Sequence, residues 1–82
     1  MNDELHIGKL IKQKLKEQER SGAWLARKLF TDASNVSKIT RKQHIDTELL
    51  MRISIILGHD FFQDLSDNFN ENRKNMAEKS MF

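Results

Sequence analysis

The stretch Ser21 to Lys42, SGAWLARKLFTDASNVSKITRK, constrains the fold of this chain more than any other. At helical spacing, Leu25, Ala26 and Leu29 fall on one face of a first short run, and Val36 and Ile39 fall on one face of a second. Each run is apolar on one side only, so each has a face to bury and a face left over. Phe30, Thr31 and Asp32 between them have the length of a tight turn, and Asp32 can accept backbone N–H bonds as the N-cap of the second helix. Two amphipathic helices with that connection form a helix-turn-helix pattern.

The leftover face of the second run carries chemistry. With Val36 and Ile39 turned into a core, Ser34, Lys38 and Arg41 line the opposite side, and Ser37 lies beside them. Arg and Lys can donate to guanine O6 and N7, and Ser can bond to several base edges or to phosphate, so the stripe suits a DNA major groove. A merely solvated surface helix carries the same residue types, and the stripe alone does not separate the two readings.

The stretch as a whole resembles the helix-turn-helix of the Cro and lambda-repressor-like family, also called the XRE family. The resemblance is carried by Trp24-Leu-Ala-Arg-Lys-Leu29, with the small Ala26 at the helix crossing, and by Ser34-Asn-Val-Ser-Lys-Ile39. It continues through Asp46-Thr-Glu-Leu-Leu-Met-Arg-Ile53 and Ile56-Leu-Gly58, which look like the family's fourth helix and its glycine stop, and it covers roughly residues 7 to 65. It implies an all-α, five-helix domain acting as a sequence-specific DNA-binding transcriptional regulator, expected to be a repressor. In that picture the third helix, about residues 32–42, enters the major groove of double-stranded DNA, and the protein works as a homodimer. Two positions depart from the pattern. Phe30 stands where the family usually has a turn glycine, and Lys42 where it often has glycine after the recognition helix. A non-glycine residue in the left-handed region costs about 1–2 kcal/mol, which burial of the Phe30 ring would offset.

Charge is distributed in step with this reading. Residues 9–42 hold ten Lys or Arg against three acids, whereas residues 43–82 hold four against seven, so a net charge of +2 hides a basic half joined to an acidic half. That asymmetry suggests one face for a polyanion and one turned away from it. With 82 residues, of which 38% are hydrophobic, the expectation is one small core and no separate sensor domain. The chain has no cysteine, so a disulfide framework and thiolate metal sites are excluded; no apolar run approaches the length of a membrane span. The protein is expected to be soluble, cytoplasmic and unprocessed.

In chain order, Met1 to Glu4 are expected to fray and a first helix to run from about Leu5 to Glu19 on Ile7, Leu10, Ile11 and Leu15. Its lysines 9, 12, 14 and 16 read first as solvated charge and second as phosphate contacts. Ser21 caps the second helix, and with Gly22 it is a candidate phosphate site, as are Arg27, Lys28 and Lys42. Trp24 reads first as core and second as a partner surface. Asp46 caps a fourth, central helix on Leu49, Leu50, Ile53, Ile56 and Leu57, which Gly58 ends; a short fifth helix follows at about 60–65. Phe61, Phe62 and Leu65 exceed what a terminal helix normally buries and are the candidate dimer interface. The domain therefore spans residues 1–65, and the polar tail, residues 66–82 with Phe69, Met76, Met81 and Phe82, reads as marginal helix or disorder.

His6, His44 and His59 have no cysteine or suitably spaced carboxylate to join them in a metal site, and no phosphate-cradling loop, nucleophile elbow or paired-carboxylate cleft is visible. No enzyme, metal or cofactor is expected. A second function class is a protein-interaction module, such as an antitoxin-like or mobile-element accessory protein, whose acidic, aromatic C-terminal half binds a second small protein.

Overall fold

Polar residues placed just before the helical runs fix where the helices begin. The backbone amides of Lys9, Trp24, Asn35 and Leu49 donate to His6 Nδ1, Ser21 Oγ, Asp32 Oδ1 and Asp46 Oδ1 at 3.0, 3.0, 2.9 and 2.8 Å, each satisfying one orphan donor of a first turn. The helices so started in this computed structural model are α1 (Ile7–Glu17), α2 (Gly22–Lys28), α3 (Ala33–Thr40) and α4 (Thr47–Leu57), with α5 (Phe61–Ser80) last. The structure describes residues 5–80, with side chains through residue 74. Among them all regular structure is helical, and no helix is long and apolar enough to cross a membrane. The expectations for Met1–Glu4, for the side chain of Met76 and for Met81 and Phe82 lie outside the described residues.

Three helices stop in the same way. Glu19 (φ 57°), Phe30 (φ 58°) and Gly58 (φ 63°) turn left-handed after α1, α2 and α4. The next amide then reaches back into the helix, Arg20 to Leu15 O at 2.9 Å, Thr31 to Ala26 O at 2.9 Å and His59 to Ser54 O at 3.1 Å. Gly58 adopts this conformation freely, whereas each of the other two costs about 1–2 kcal/mol. Burial of the Phe30 ring does not offset that cost. The ring is 96% exposed, because the left-handed turn carries the side chain out of the helix pair. Lys42 is not left-handed; α3 runs out through right-handed backbone at Arg41, and Lys42 N donates to Ile39 O at 3.1 Å.

One apolar cluster joins all five helices: Ile7, Ile11 and Leu15 of α1, Leu25 and Ala26 of α2, Val36 and Ile39 of α3, Leu50, Ile53 and Leu57 of α4, and Phe61 of α5. Each large member contributes about 1.5–3 kcal/mol by leaving water. Trp24, Leu10, Leu49, Ile56 and Phe62 pack around it half-buried. Phe61 is therefore corrected from candidate interface to core. It is fully buried, because the turn at Gly58 folds the start of α5 back onto α1 and α4.

Two further features position α3. Ala26 is buried on α2, and α2 packs against α3. At the other end of α3, the amides of Ile7 and Gly8 donate to the carbonyls of Gln43 and Lys42 at 3.0 and 2.9 Å, tying the start of α1 to the α3–α4 link. Beyond the short fifth helix expected at 60–65, α5 continues unbroken to Ser80. Side-chain pairs one turn apart support the extension, Gln63 Nε2 to Asp67 Oδ1 at 3.0 Å and Asn72 Nδ2 to Asn68 Oδ1 at 3.1 Å.

Candidate nucleic-acid interface

The two buried residues of α3, Val36 and Ile39, fix its roll, and Ser34, Ser37, Lys38 and Arg41 are all exposed. The helix is shorter than the 32–42 expected: it ends at Thr40, and Arg41 is its C-cap. Arg41 thus extends from the end of the stripe rather than from its middle.

The polar groups along this face are not equivalent. Ser34 Oγ donates to Asp32 Oδ1 at 2.8 Å, so its proton is committed to the cap and its remaining capacity is as an acceptor. The Asp32 carboxylate also accepts the Asn35 amide. That bond, followed by the one from Ser34, holds its pKa below the ordinary 3.8. Asn35 Nδ2 donates to Thr31 Oγ1 at 3.1 Å, and Thr40 Oγ1 donates to the Ser37 carbonyl at 3.0 Å, leaving the Ser37 hydroxyl outside that bond.

Beside this face lies a cleft of about 420 Å³ between α1 and α3. Lys12, Leu15 and Lys16 line it from α1, Arg20 and Gly22 from around the start of α2, and Ala33, Val36, Ser37 and Thr40 from α3, with no acid in the lining. Arg20 is held by Trp24, its Cζ 4.6 Å from the ring centre. Three of the four lysines of α1 are thereby sorted. Lys14 Nζ bonds to Glu17 Oε1 at 2.9 Å in a different cleft, and the Lys14 bond is also the first cause of a lowered Glu17 pKa.

The candidate phosphate residues scatter more widely. Ser21 Oγ accepts the Trp24 amide, and Gly22 packs beside Val36 in the cleft lining. Arg27 is exposed on α2. Lys28 is directed to the other side, 5.7 Å from the Trp24 ring and in a cleft with Phe30, Arg52 and Ile55 rather than with α3. Lys42 is exposed at the link that α1 grips. Of the candidate interface residues, Phe62 is half-buried and Leu65 exposed.

Sequence reading missed the grouping of Lys12, Lys16 and Arg20 with α3; the spacing of four between Lys12 and Lys16 was the signal that these two share a side of α1, whereas Arg20 lies beyond the end of that helix. It also passed over Gly8. Among the described residues no group of His, Cys, Asp or Glu could hold a metal ion; His6 caps α1, and His59 Nε2 lies 2.8 Å from Asp64 Oδ2. No protein-family model, curated protein or solved structure matches this chain.

Proposed function

We propose that this chain is a sequence-specific DNA-binding transcriptional regulator of the Cro and lambda-repressor-like kind, a repressor in its simplest form, which inserts α3 in the major groove and acts as a homodimer. The observation that carries the reading is the exposed row Ser34, Ser37, Lys38 and Arg41 on a helix whose opposite face, Val36 and Ile39, is locked in the core. Placement of hydrogen-bonding groups on one face of a fixed helix is what base-edge readout requires. The basic cleft next to the row supports a polyanion as the ligand.

Homodimerisation is supported by apolar side chains left uncovered on α4 and α5: Met51, Ile55, Leu65 and Phe69 are exposed. A single small domain with that surface has a use for a second copy, and a dimer presents two reading helices to two half-sites. The same surface also favours, as a second reading, an interaction module that takes a second small protein.

Binding-site selection from random duplexes with the purified protein tests the proposal. Enrichment of one motif in two inverted copies is the expected result. Recovery of unenriched DNA, or of none, would refute it, and co-purification of a second small protein without DNA binding would favour the interaction module.

A further inference from the structure

We infer that Lys12, Lys16 and Arg20 form a separate phosphate-binding row that seats the sugar-phosphate backbone of one DNA strand in the cleft between α1 and α3. The inference rests on the DNA-binding reading and adds to it a contact surface outside the α2–α3 pair.

Three observations carry it. First, the row is continuous and unopposed. Lys12 and Lys16 stand one turn apart on α1, the left-handed turn at Glu19 brings Arg20 to the same cleft, and among the described residues none of the three pairs with an acid. Lys14 provides the contrast, since its charge is already met by Glu17 at 2.9 Å. Second, Arg20 is anchored. Its Cζ lies 4.6 Å from the Trp24 ring centre, a cation–π contact that holds the guanidinium at the cleft, and among the described residues its N–H groups, the part that matches phosphate oxygens, meet no carboxylate. Trp24 is in this sense a positioning residue. Third, the cleft is amphipathic as a nucleotide backbone is. Lys12, Lys16 and Arg20 supply its cations, while the apolar part of the lining, Leu15, Gly22, Ala33 and Val36, suits deoxyribose carbons. Ser37 belongs both to the lining of this cleft and to the reading face of α3, so a strand lying in the cleft runs directly beside the groove that α3 would enter.

The test compares duplex binding by the parent, by the triple variant Lys12→Gln, Lys16→Gln, Arg20→Gln, by Lys14→Gln and by Arg41→Ala, on a selected site and on random DNA across a salt series. All five substituted residues lie on the surface or in an exposed ion pair, and thermal melts confirm that each variant folds. The triple variant is expected to flatten the slope of log K against log salt by about 2.7 per bound subunit, at about 0.9 for each phosphate contact, equally on both DNAs. Lys14→Gln should leave the slope unchanged. Trp24, the only tryptophan, should change its emission when duplex binds and not when inorganic phosphate is added at equal ionic strength. A triple variant with the parental slope, beside an Arg41→Ala variant that still loses site preference, overturns the row and leaves the DNA reading standing. An identical Trp24 response to inorganic phosphate also overturns it, because the cleft would then be a general anion site. If the parent itself binds no duplex, both readings fall together.

Discussion

The amide of Gly8 donates to the carbonyl of Lys42 at 2.9 Å, so the first turn of α1 is hydrogen-bonded to the segment that ends α3. This contact needs glycine. A Cβ at residue 8 would collide with the carbonyl oxygen of Thr40 and approach that of Lys42 to 2.6 Å, and both obstacles are backbone. Gly8→Ala is therefore expected to destabilise the fold by about 1–3 kcal/mol, as overpacking does, which in a domain of this size lowers the melting temperature by roughly 4–8 °C per kcal/mol. Because the displaced backbone bears Arg41, the variant should also lose more affinity for a selected site than for random DNA. Melting at the parental temperature would mean that the contact between α1 and the α3–α4 link is not close.

Phe30 offers the opposite case, a position where glycine should help. Its backbone is left-handed at φ 58°, and its ring is 96% exposed, so within the monomer substitution loses little packing. Phe30→Gly removes a strain of about 1–2 kcal/mol, against which the greater freedom of glycine in the unfolded chain costs about 0.4–1 kcal/mol. A net gain of about 0.5–1 kcal/mol in a chemical denaturation experiment is expected. A loss would show that the ring does make contacts that stabilise the fold.

Much of this fold could be read from residue types and spacing. Ser21, Asp32 and Asp46 marked three helix starts and Gly58 one end, because capping is local chemistry. The roll of α3 followed from Val36 and Ile39 alone. What could not be read depended on contacts across the fold. Phe61, Phe62 and Leu65 look alike in sequence, but only the turn at Gly58 decides that Phe61 is core and Leu65 is surface. Gly8 is unremarkable until the end of α3 is found against it. Three lysines of α1 are likewise sorted only by Glu17 and by the position of α3. Sequence also gave no warning of left-handed backbone at Glu19, since a glutamate there obeys no turn rule.

That division of α5 gives a test of the proposed dimer. Besides Leu65, Ile55 of α4 and Phe69 of α5 are exposed, at 73% and 61%. Leu65→Asp and Phe69→Asp should shift sedimentation at micromolar concentration toward monomer while leaving the thermal melt of the monomer nearly unchanged. Phe61→Ala should behave differently, unfolding the domain through a core cavity with a cost of about 3–5 kcal/mol. Dimers that persist in both Asp variants would place the interface elsewhere.

Asp32 makes the stability of the α2–α3 unit depend on pH. Its carboxylate accepts the Asn35 amide at 2.9 Å and the Ser34 hydroxyl at 2.8 Å, and these bonds lower its folded-state pKa from 3.8. A group with a depressed folded pKa adds stability that is fully present above its unfolded value and is lost as pH falls through the folded one. The charge at Asp32 should therefore help at neutral pH and contribute progressively less below pH 3.8. Asp32→Asn retains a capping oxygen without the charge, so its melting temperature should fall below the parent's at neutral pH and converge with it in acid. A difference that does not vary with pH would indicate that the cap works without its charge.

The final prediction separates two kinds of basic residue that composition treats alike. Arg41 and Lys38 lie on the exposed side of α3, opposite Val36 and Ile39, so truncating either should remove a base contact of about 1–3 kcal/mol and relax preference at particular base pairs. Ser34 and Ser37 should have smaller, base-dependent effects, and Ser34 should favour bases that donate, because its own proton goes to Asp32. Arg27 and Lys28 stand on α2, with Lys28 drawn toward Trp24 and α4. Either one that touches DNA should touch phosphate, so its removal should weaken all sequences alike and flatten the salt slope by about 0.9 per contact. Since Lys28 shares no cleft with α3, Lys28→Ala should have the smaller effect of the two. The comparison that decides is Arg41→Ala against Lys28→Ala on a selected site and on random DNA. Loss of discrimination in the first and not the second is expected. Equal losses on both DNAs for both variants would mean that α3 presents a basic surface and reads no sequence.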